Sequence, residues 1–384
     1  MRSEHQAAPV TEFTAIADLA LYIAFELSRK KWKLAFSDGR SNRIRTVTIA
    51  PQDWPALRRE IEVARKRFGL SETAALRSCY EIGREGFWLH RALLQRGIEN
   101  VVVDAASIEV DRRKKRAKTD RMDAEKLTTQ LIRHWRGERA WRLVRVPDAA
   151  DEDARQLHRD MDVLKREKGR YQSRIQSLLF TQGIDTRVDK NFLEKLERLR
   201  CWDGKPVPEQ LKIRLVGEYQ RLQIVQSQLR QLRKQQDALL NSPRPTPAIE
   251  KVRRLMQLGA LGQTSSWVFV MELFGWRHFA NRRQVAGAVG LTPTPYQSGD
   301  SDHDQGISRS GNRRVRALAV EIAWCWLRFQ PNSRLSRWYK KRFAGGGKRM
   351  RRIGIVALAR RLMIDLWRYL EEGIVPEGGR LKTV

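Results

Sequence analysis

Short β-rich runs alternate with helical patterns in the first third of the chain, and this alternation restricts the fold more than any other feature. From Asp18 to Val146, five segments rich in β-branched and aromatic residues are separated by turns or helical patterns. These predicted strands read LALYIAFEL, WKLAFSDG, RIRTVTIA, RSCYEI and NVVVDAAS. The predicted helix DWPALRREIEVARKRFG follows the third strand, and FWLHRALLQRG separates the last two.

The order of these elements is three strands, a helix, a strand, a helix and a strand, which predicts an α/β domain. It is the order of the ribonuclease H fold. Glu26 interrupts the first strand, which would be interior in such a sheet. Because a buried carboxylate is costly unless a cation or another partner meets it, Glu26 is a candidate functional residue.

Heptad spacing replaces the β pattern in the middle of the chain, from about Asp151 to Leu240. Apolar residues recur at intervals of three and four from Leu157 to Leu178 and from Leu211 to Leu239. This spacing predicts a coiled-coil hairpin, within one chain or between subunits, that connects and assembles rather than catalyses. Two helices of an ordinary bundle are the alternative.

The last third follows a proline-rich break, NSPRPTPAIE, and is predicted to be mostly helical from Val252 to Leu370. Its first segment, LMQLGALGQTSSWVFVMELFG, has the layout of a degenerate helix-hairpin-helix, whose backbone amides can contact DNA phosphates. A polar loop rich in Gly and Ser then precedes an apolar helix. We therefore predict three domains, at 18–148, 149–242 and 243–376.

The charge of the chain indicates a polyanionic partner. Lys and Arg number 75 against 44 Asp and Glu, a formal net charge of +31, which favours nucleic acid.

The sequence contains no run of about 18 apolar residues that would predict a membrane span. The N-terminal segment lacks the apolar core of a secretory signal, so we expect a cytoplasmic, nucleoid-associated protein. Cys79, Cys201 and Cys325 have no metal or disulfide spacing and are predicted to be reduced, packed thiols.

Three basic segments suit contacts with phosphates, although a merely solvated surface is the alternative. Their predicted nucleic-acid-binding residues are Arg112, Arg113, Lys114, Lys115, Arg116, Lys118, Arg309, Arg313, Arg314, Arg316, Lys340, Lys341, Arg342, Lys348, Arg349, Arg351 and Arg352.

Four acids are candidates for one metal site. Besides Glu26, they are Glu81, just after the fourth strand, and Asp120 and Asp123, three residues apart at the start of a predicted helix and therefore on one face. Such acids could hold two Mg²⁺ or Mn²⁺ ions about 4 Å apart for phosphodiester chemistry. Taken singly, Asp120 could instead cap the helix, and Asp123 could pair with Lys126.

Several of these motifs resemble the bacterial insertion-sequence transposases that pair a RuvC-like DEDD domain with a C-terminal serine-bearing transposase domain. The resemblance covers residues from about 20 to 372 and rests on AFELS, CYEIGREGFWLHRALLQRGI, KTDRMDAEKL and GLTPTPYQSG followed by GISRSGNRRVR. It implies that Glu26, Glu81, Asp120 and Asp123 form the acidic quartet. Glu26 stands in ELS where the family usually has Asp in DVS, and its side chain reaches one methylene further.

The resemblance also implies a serine nucleophile that holds a DNA phosphate covalently. This serine is Ser298 in YQSGD, with Ser308 in GISRSGN as the competitor; a turn-capping serine is the alternative. It implies further that a structured non-coding RNA guides the protein to double-stranded DNA, and that dimers assemble into a tetramer.

The leading functional prediction is therefore a DNA transposase or recombinase that mobilises an insertion sequence. Two other functions stay open. One is a RuvC-like metal-dependent junction nuclease that uses water and forms no covalent intermediate. The other is a catalytically inactive nucleic-acid-binding protein, for which the basic segments suffice and the acids are structural.

Overall fold

The computed structural model describes residues 19–41, 43–108, 120–298 and 301–382. The chain divides into two compact units, of which the first ends at Val146 and the second begins at Pro147. Each unit has its own core.

The first unit is built on a mixed five-stranded sheet with the order β3-β2-β1-β4-β5. β1 pairs antiparallel with β2, β2 pairs antiparallel with β3, and β4 pairs parallel with both β1 and β5. This topology confirms the predicted ribonuclease H-like sheet. The strands are β1 Ala20–Leu27, β2 Trp32–Ser37, β3 Arg45–Ile49, β4 Ala75–Glu81 and β5 Glu99–Val103.

Helices cover both faces of this sheet: α1 Trp54–Phe68, α2 Trp88–Leu94 and α3 Asp120–Trp135. Because side chains alternate along a strand, odd-numbered residues of β1 such as Ile23 lie in the core with α1 and α2. Even-numbered residues such as Ala24 pack with Leu127 and Leu131 of α3. A short 3₁₀ turn, Ala105–Ser107, follows β5.

The second unit is largely helical, as predicted. Its helices are α4 Ala149–Asp153, α5 Gln156–Phe180, α6 Phe192–Arg198, α7 Glu209–Leu240, α8 Pro247–Met256, α9 Gln263–Phe269, α10 Arg282–Val289, α11 Arg313–Phe329, α12 Arg334–Tyr339 and α13 Lys348–Glu372. Two π-helical segments, Val270–Phe274 and Lys340–Ala344, continue α9 and α12.

The heptad positions bring α5 and α7 together within the chain, in antiparallel directions. Met161 and Leu164 of α5 cluster with Val225 and Leu229 of α7. Glu218 interrupts the apolar seam of α7 and is buried. Its carboxylate is paired there, because Arg174 Nη1 donates to its Oε2 at 2.8 Å. The periodicity thus predicted which faces are covered, while the boundary near residue 242 stays a prediction.

A two-stranded hairpin lies between α10 and α11, where the sequence predicted only a loop. Its strands are β6 Pro293–Ser298 and β7 Ser301–Ile307. The loop prediction was wrong because this segment combines Pro, Gly and Ser with no alternation of apolar and polar residues, so it lacks the usual strand pattern. An irregularity in register between Pro293 and Pro295 marks the same departure.

The described cysteines are free, and burial raises the pKa of the Cys79 thiol. Within the described ranges, no helix has the length and apolar content needed to cross a membrane.

Candidate active site

Two of the predicted acids lie at the carboxyl ends of adjacent parallel strands. The register pairs Phe25 of β1 with Tyr80 of β4, so Glu26 and Glu81 occupy the next position along each strand. The residues two positions earlier in both strands pack against α3. Since strand residues two apart share a face, Glu26 and Glu81 both belong to the face that α3 covers. Glu26 is partly buried and Glu81 is exposed.

The other two acids lie in the first turn of α3. Asp120 is the first residue of the helix and Asp123 follows three residues later. Ala124 and Leu127 of the same helix are buried, and Leu127 packs on the sheet. Because each of these lies four residues after one of the two aspartates, Asp120 and Asp123 extend the sheet-facing stripe towards the helix N-terminus. The four acids therefore share one sheet face and the helix that covers it.

Two lysines that the sequence analysis did not single out lie among these acids. Lys31 Nζ is 2.7 Å from Asp120 Oδ2. The hydrogen bond and charge of Lys31, with a smaller effect from Lys33, hold the pKa of Asp120 below its usual range. Lys33 is the cross-strand neighbour of Glu26 in the register of β1 and β2. The feature of the sequence that could have indicated both lysines is the basic segment SRKKWK, which follows Glu26 almost directly.

A short turn fixes the position of Lys31. Ser28 Oγ donates to the Lys31 carbonyl oxygen at 2.8 Å, and the Lys31 N–H donates back to Ser28 Oγ at 3.2 Å. The turn that joins β1 to β2 thus directs a cation towards the start of α3.

Within the part of the chain that the structure describes, no group of three or more His, Cys, Asp or Glu residues is arranged to hold a metal ion. The four acids supply carboxylate oxygens, the ligands that Mg²⁺ and Mn²⁺ prefer. The metal site stays a prediction. The predicted basic arm from Arg112 to Lys118 lies outside the described residues.

The two candidate serines lie at opposite ends of the β6–β7 hairpin. Ser298 is the last residue of β6 and pairs with Ser301 of β7. Ser308 follows β7 at the base, where its N–H donates to the Thr292 carbonyl at 2.9 Å and its Oγ accepts from Thr292 Oγ1 at 3.1 Å and Ser310 Oγ at 3.2 Å. Thr292, the partner of Ser308, lies six residues before Ser298, which corresponds to about 20 Å of β-strand.

Two glycines fit the base of this hairpin against the end of α10. Gly290 has φ 71° and Gly311 has φ 97°, in the region that favours glycine. A Cβ at Gly290 would overlap the Ser310 carbonyl oxygen, and one at Gly311 would overlap that of Ala288. Arg309 between them also has a positive φ, 54°. The backbone of the GISRSGN segment is therefore tightly constrained against the end of α10.

A buried carboxylate, Glu272, lies beneath this segment and was missed by the sequence analysis. Its side chain is 1% exposed. His158 Nε2 lies 2.9 Å from Oε1, and Arg159 donates from Nε to Oε1 at 2.8 Å and from Nη2 to Oε2 at 2.9 Å. Burial opposes ionisation of Glu272, but the hydrogen bonds from His158 and Arg159 outweigh it and hold its pKa well below the usual range.

Asn312 connects Glu272 to the start of α11. Asn312 Nδ2 donates to Glu272 Oε2 at 2.9 Å, and Asn312 Oδ1 accepts from the N–H groups of Arg314 and Val315, at 3.0 and 3.2 Å. One side chain therefore caps the helix and binds the buried carboxylate. No periodicity marked Glu272; an acid within an apolar helix, WVFVMELFG, was the available signal.

The predicted phosphate-binding residues of this unit fall into two groups. Arg314 is ion-paired with Asp162 and lies 3.6 Å from Glu272, and Arg316 Nη1 donates to the Val289 carbonyl at 3.1 Å. The others are exposed and form no ion pair with a described carboxylate: Arg309, Arg313, Lys340, Lys341, Arg342, Lys348, Arg349, Arg351 and Arg352.

Comparison with known proteins identifies relatives that cover between 60% and 95% of this chain. The protein named "Putative transposase y4rJ" of Sinorhizobium fredii is 38% identical over 382 residues, which cover 95% of each chain. "Putative transposase y4qE" of the same organism is 25% identical over 331 residues, covering 85% of this chain and 77% of the relative. The transposase for insertion sequence element IS1328 of Yersinia enterocolitica is 22% identical over 233 residues, 60% of this chain and 66% of the relative.

Residues 252–338 match the model of the Transposase IS116/IS110/IS902 family. This stretch contains Glu272, the β6–β7 hairpin and the GISRSGN segment. Together with the relative that is similar along 95% of both chains, the match shows that the chain belongs to the IS110/IS116/IS902 family of transposases, enzymes of DNA transposition.

Proposed function

We propose that this transposase cuts and rejoins DNA with two sets of residues: an acidic quartet that binds Mg²⁺ or Mn²⁺, and a serine nucleophile. The register match between Glu26 and Glu81 is the observation that supports the quartet most directly, because it aligns two acids under the helix that carries Asp120 and Asp123. When bound there, the divalent cations would supply charge stabilisation for phosphodiester chemistry. Lys31 and Lys33 balance part of the negative charge of the four carboxylates.

The serine chemistry conserves the energy of the phosphodiester bond. Ser298 Oγ attacks a DNA phosphorus; the Oγ–P bond forms, the bond from phosphorus to one sugar oxygen breaks, and the serine proton ends on that released oxygen. In rejoining, a sugar hydroxyl attacks the phosphoserine phosphorus and its proton returns to Oγ. We prefer Ser298 to Ser308 because the resemblance points to YQSGD and because Ser308 Oγ already accepts two hydrogen bonds.

Trapping on a suicide DNA substrate tests the nucleophile. The wild-type protein and Ser308→Ala are expected to form a covalent protein–DNA adduct, and Ser298→Ala is expected to form none. An adduct lost only with Ser308→Ala would move the nucleophile to the base of the hairpin. Cleavage without any adduct would favour hydrolysis by a RuvC-like junction nuclease.

Substitution of the acids tests the quartet. Glu81→Gln and Asp123→Asn are expected to abolish strand exchange and to leave DNA binding in place. Glu125→Gln is the matched control, because Glu125 lies on the same helix and pairs with the exposed Arg121 at 2.7 Å. Strand exchange that survives both quartet substitutions would overturn the metal proposal.

The guide RNA and the tetramer are further parts of the proposal, supported by the family resemblance and by the exposed basic residues of α13. Purification of the protein with its element should recover a structured RNA, and removal of that RNA should abolish strand exchange at the target. Light scattering should give a dimer alone and a tetramer with DNA. Target-specific exchange by an RNA-free protein would refute guidance.

A further inference from the structure

A concave, arginine-rich surface of the second unit is distinct from the candidate active site. It encloses a cavity of about 730 Å³ between the start of α10, α12 with its π-helical continuation, and α13. We call it the arginine cavity. Its charged lining residues are Arg282, Arg283, Arg334, Arg342, Arg360, Arg361, Arg368 and one acid, Asp365.

Neighbouring carboxylates neutralise only a small part of the positive charge of this cavity. Of its arginines, Arg334 pairs with Glu377 at 3.4 Å, whereas the other six form no ion pair with a carboxylate in the described ranges. The guanidinium carbon of Arg361 lies 3.9 Å from the centre of the Trp338 ring, a cation–π contact. An aromatic face thus holds Arg361 and leaves its hydrogen-bond donors to another partner.

The titration of the lining residues reflects this crowding. Burial lowers the pKa of Arg361, and the charges of Arg334 and Arg342 lower it further. Burial raises the pKa of Asp365, although the arginines around it act in the opposite direction. An anion in the cavity would relieve the repulsion among the arginines.

We propose that the arginine cavity binds phosphates of the DNA backbone. Arginine presents planar, bidentate donors that match phosphate oxygens, and several unpaired arginines on a concave surface concentrate positive potential. Pockets for drug-sized ligands are mostly apolar, whereas arginines form about half of this lining. The proposal uses the DNA transposition activity of the family and is independent of the serine and the acidic quartet.

Equilibrium binding to a DNA duplex, measured by fluorescence anisotropy in EDTA, tests the proposal without requiring cleavage. Arg282→Gln and Arg360→Gln should each weaken binding about tenfold, the worth of one charge-assisted contact. Each should also reduce the salt dependence, log K against log salt, by about one. Asp365→Asn removes the single acid of the cavity and should tighten binding.

Exposed arginines elsewhere in the unit provide matched controls. Arg328→Gln on α11 and Arg230→Gln on α7 remove the same charge outside the cavity and should change binding less than twofold. Arg360→Lys keeps the charge and should keep the salt dependence, and thermal unfolding of every variant establishes that it folds.

Wild-type affinity and salt dependence in folded Arg282→Gln and Arg360→Gln would overturn the proposal. So would binding that weakens in Asp365→Asn. A single-stranded RNA of equal length forms the second arm of the experiment. If the cavity variants lose RNA affinity and keep DNA affinity, the cavity is an RNA site and the assignment to DNA is wrong. Because no strand is cut, absence of a serine adduct would leave this result unaffected.

Discussion

Glu272 connects the segment at the base of the β6–β7 hairpin with α5. It receives donors from α5, through His158 and Arg159, and from Asn312 at the start of α11. The paired and hydrogen-bonded state of a buried carboxylate is hard to predict from sequence, because its partners are more than a hundred residues away for α5 and forty for Asn312. The sequence offers the acid, and only the fold supplies the partners.

The ionised state of Glu272 should stabilise the second unit in a pH-dependent way. Its folded-state pKa is depressed, so its contribution is complete above the ordinary glutamate pKa and is lost as the pH falls below it. Glu272→Gln should lower the free energy of unfolding by about 3 kcal/mol at pH 6, and the difference from wild type should shrink from about pH 4 downwards. Urea unfolding between pH 6 and pH 3 measures both quantities.

The control for that prediction is an exposed ion pair of the same unit. Lys251 Nζ lies 2.7 Å from Glu371 Oε1, and Glu371→Gln should cost less than about 1 kcal/mol at either pH. If the loss of unfolding free energy in Glu272→Gln stays constant down to pH 3, the substitution acts through packing rather than through charge.

Gly311 is constrained both by its positive φ and by its close approach to α10, and comparison with Gly306 separates the two effects. Gly306 has a similar φ, 101°, but its Cβ would meet nothing within 4 Å, whereas a Cβ at Gly311 would overlap the Ala288 carbonyl. Gly306→Ala should therefore lose about 1 kcal/mol for the dihedral angle alone, and Gly311→Ala about 1–3 kcal/mol more. Equal losses of unfolding free energy in the two variants, measured with urea, would show that the close approach of Gly311 to α10 does not affect stability.

Regular elements were predictable where the composition or the spacing of a segment is distinctive. Runs rich in β-branched and aromatic residues predicted the five strands of the first unit, and spacing of three and four predicted the buried faces of α5 and α7. The β6–β7 hairpin could not be predicted in this way, because Pro293 and Pro295 remove backbone donors and the strand residues are mostly polar. The sequence indicated the four acids, but the positions of Lys31 in the β1–β2 turn and of Lys33 in β2 relative to these acids required the fold.

The ion pair between the β1–β2 turn and α3 should affect metal binding. Lys31 pairs with Asp120, so Lys31→Met should raise the pKa of Asp120 towards its ordinary value and remove a cation that competes with a metal ion. Mn²⁺ binding followed by electron paramagnetic resonance should become several-fold tighter. Lys30→Met in the same turn should change little, and Glu81→Gln should abolish the site. Weaker Mn²⁺ binding by Lys31→Met would indicate that Lys31 orders the acids instead.

Net charge was the most informative property of the whole molecule. An excess of 31 positive charges predicted a nucleic-acid partner, and the family of DNA transposition enzymes agrees with it. Charge alone could not predict how the cations are grouped. The arginine cavity draws on residues near 282, 334, 342, 360 and 368, and one of its seven arginines, Arg342, belongs to a basic tract visible in the sequence.

The second unit should unfold as one cooperative body, although the sequence predicted a separate domain at 149–242. Leu240 at the end of α7 lies in the same core as Leu362 of α13, and Glu272 ties α5 to α11. Leu222→Ala in α7 and Leu362→Ala in α13 should each cost about 3 kcal/mol and should lower the same calorimetric transition by about 6–12 °C. If Leu222→Ala lowers a transition that Leu362→Ala leaves unchanged, α5 and α7 form an independent domain and the three-domain prediction is correct.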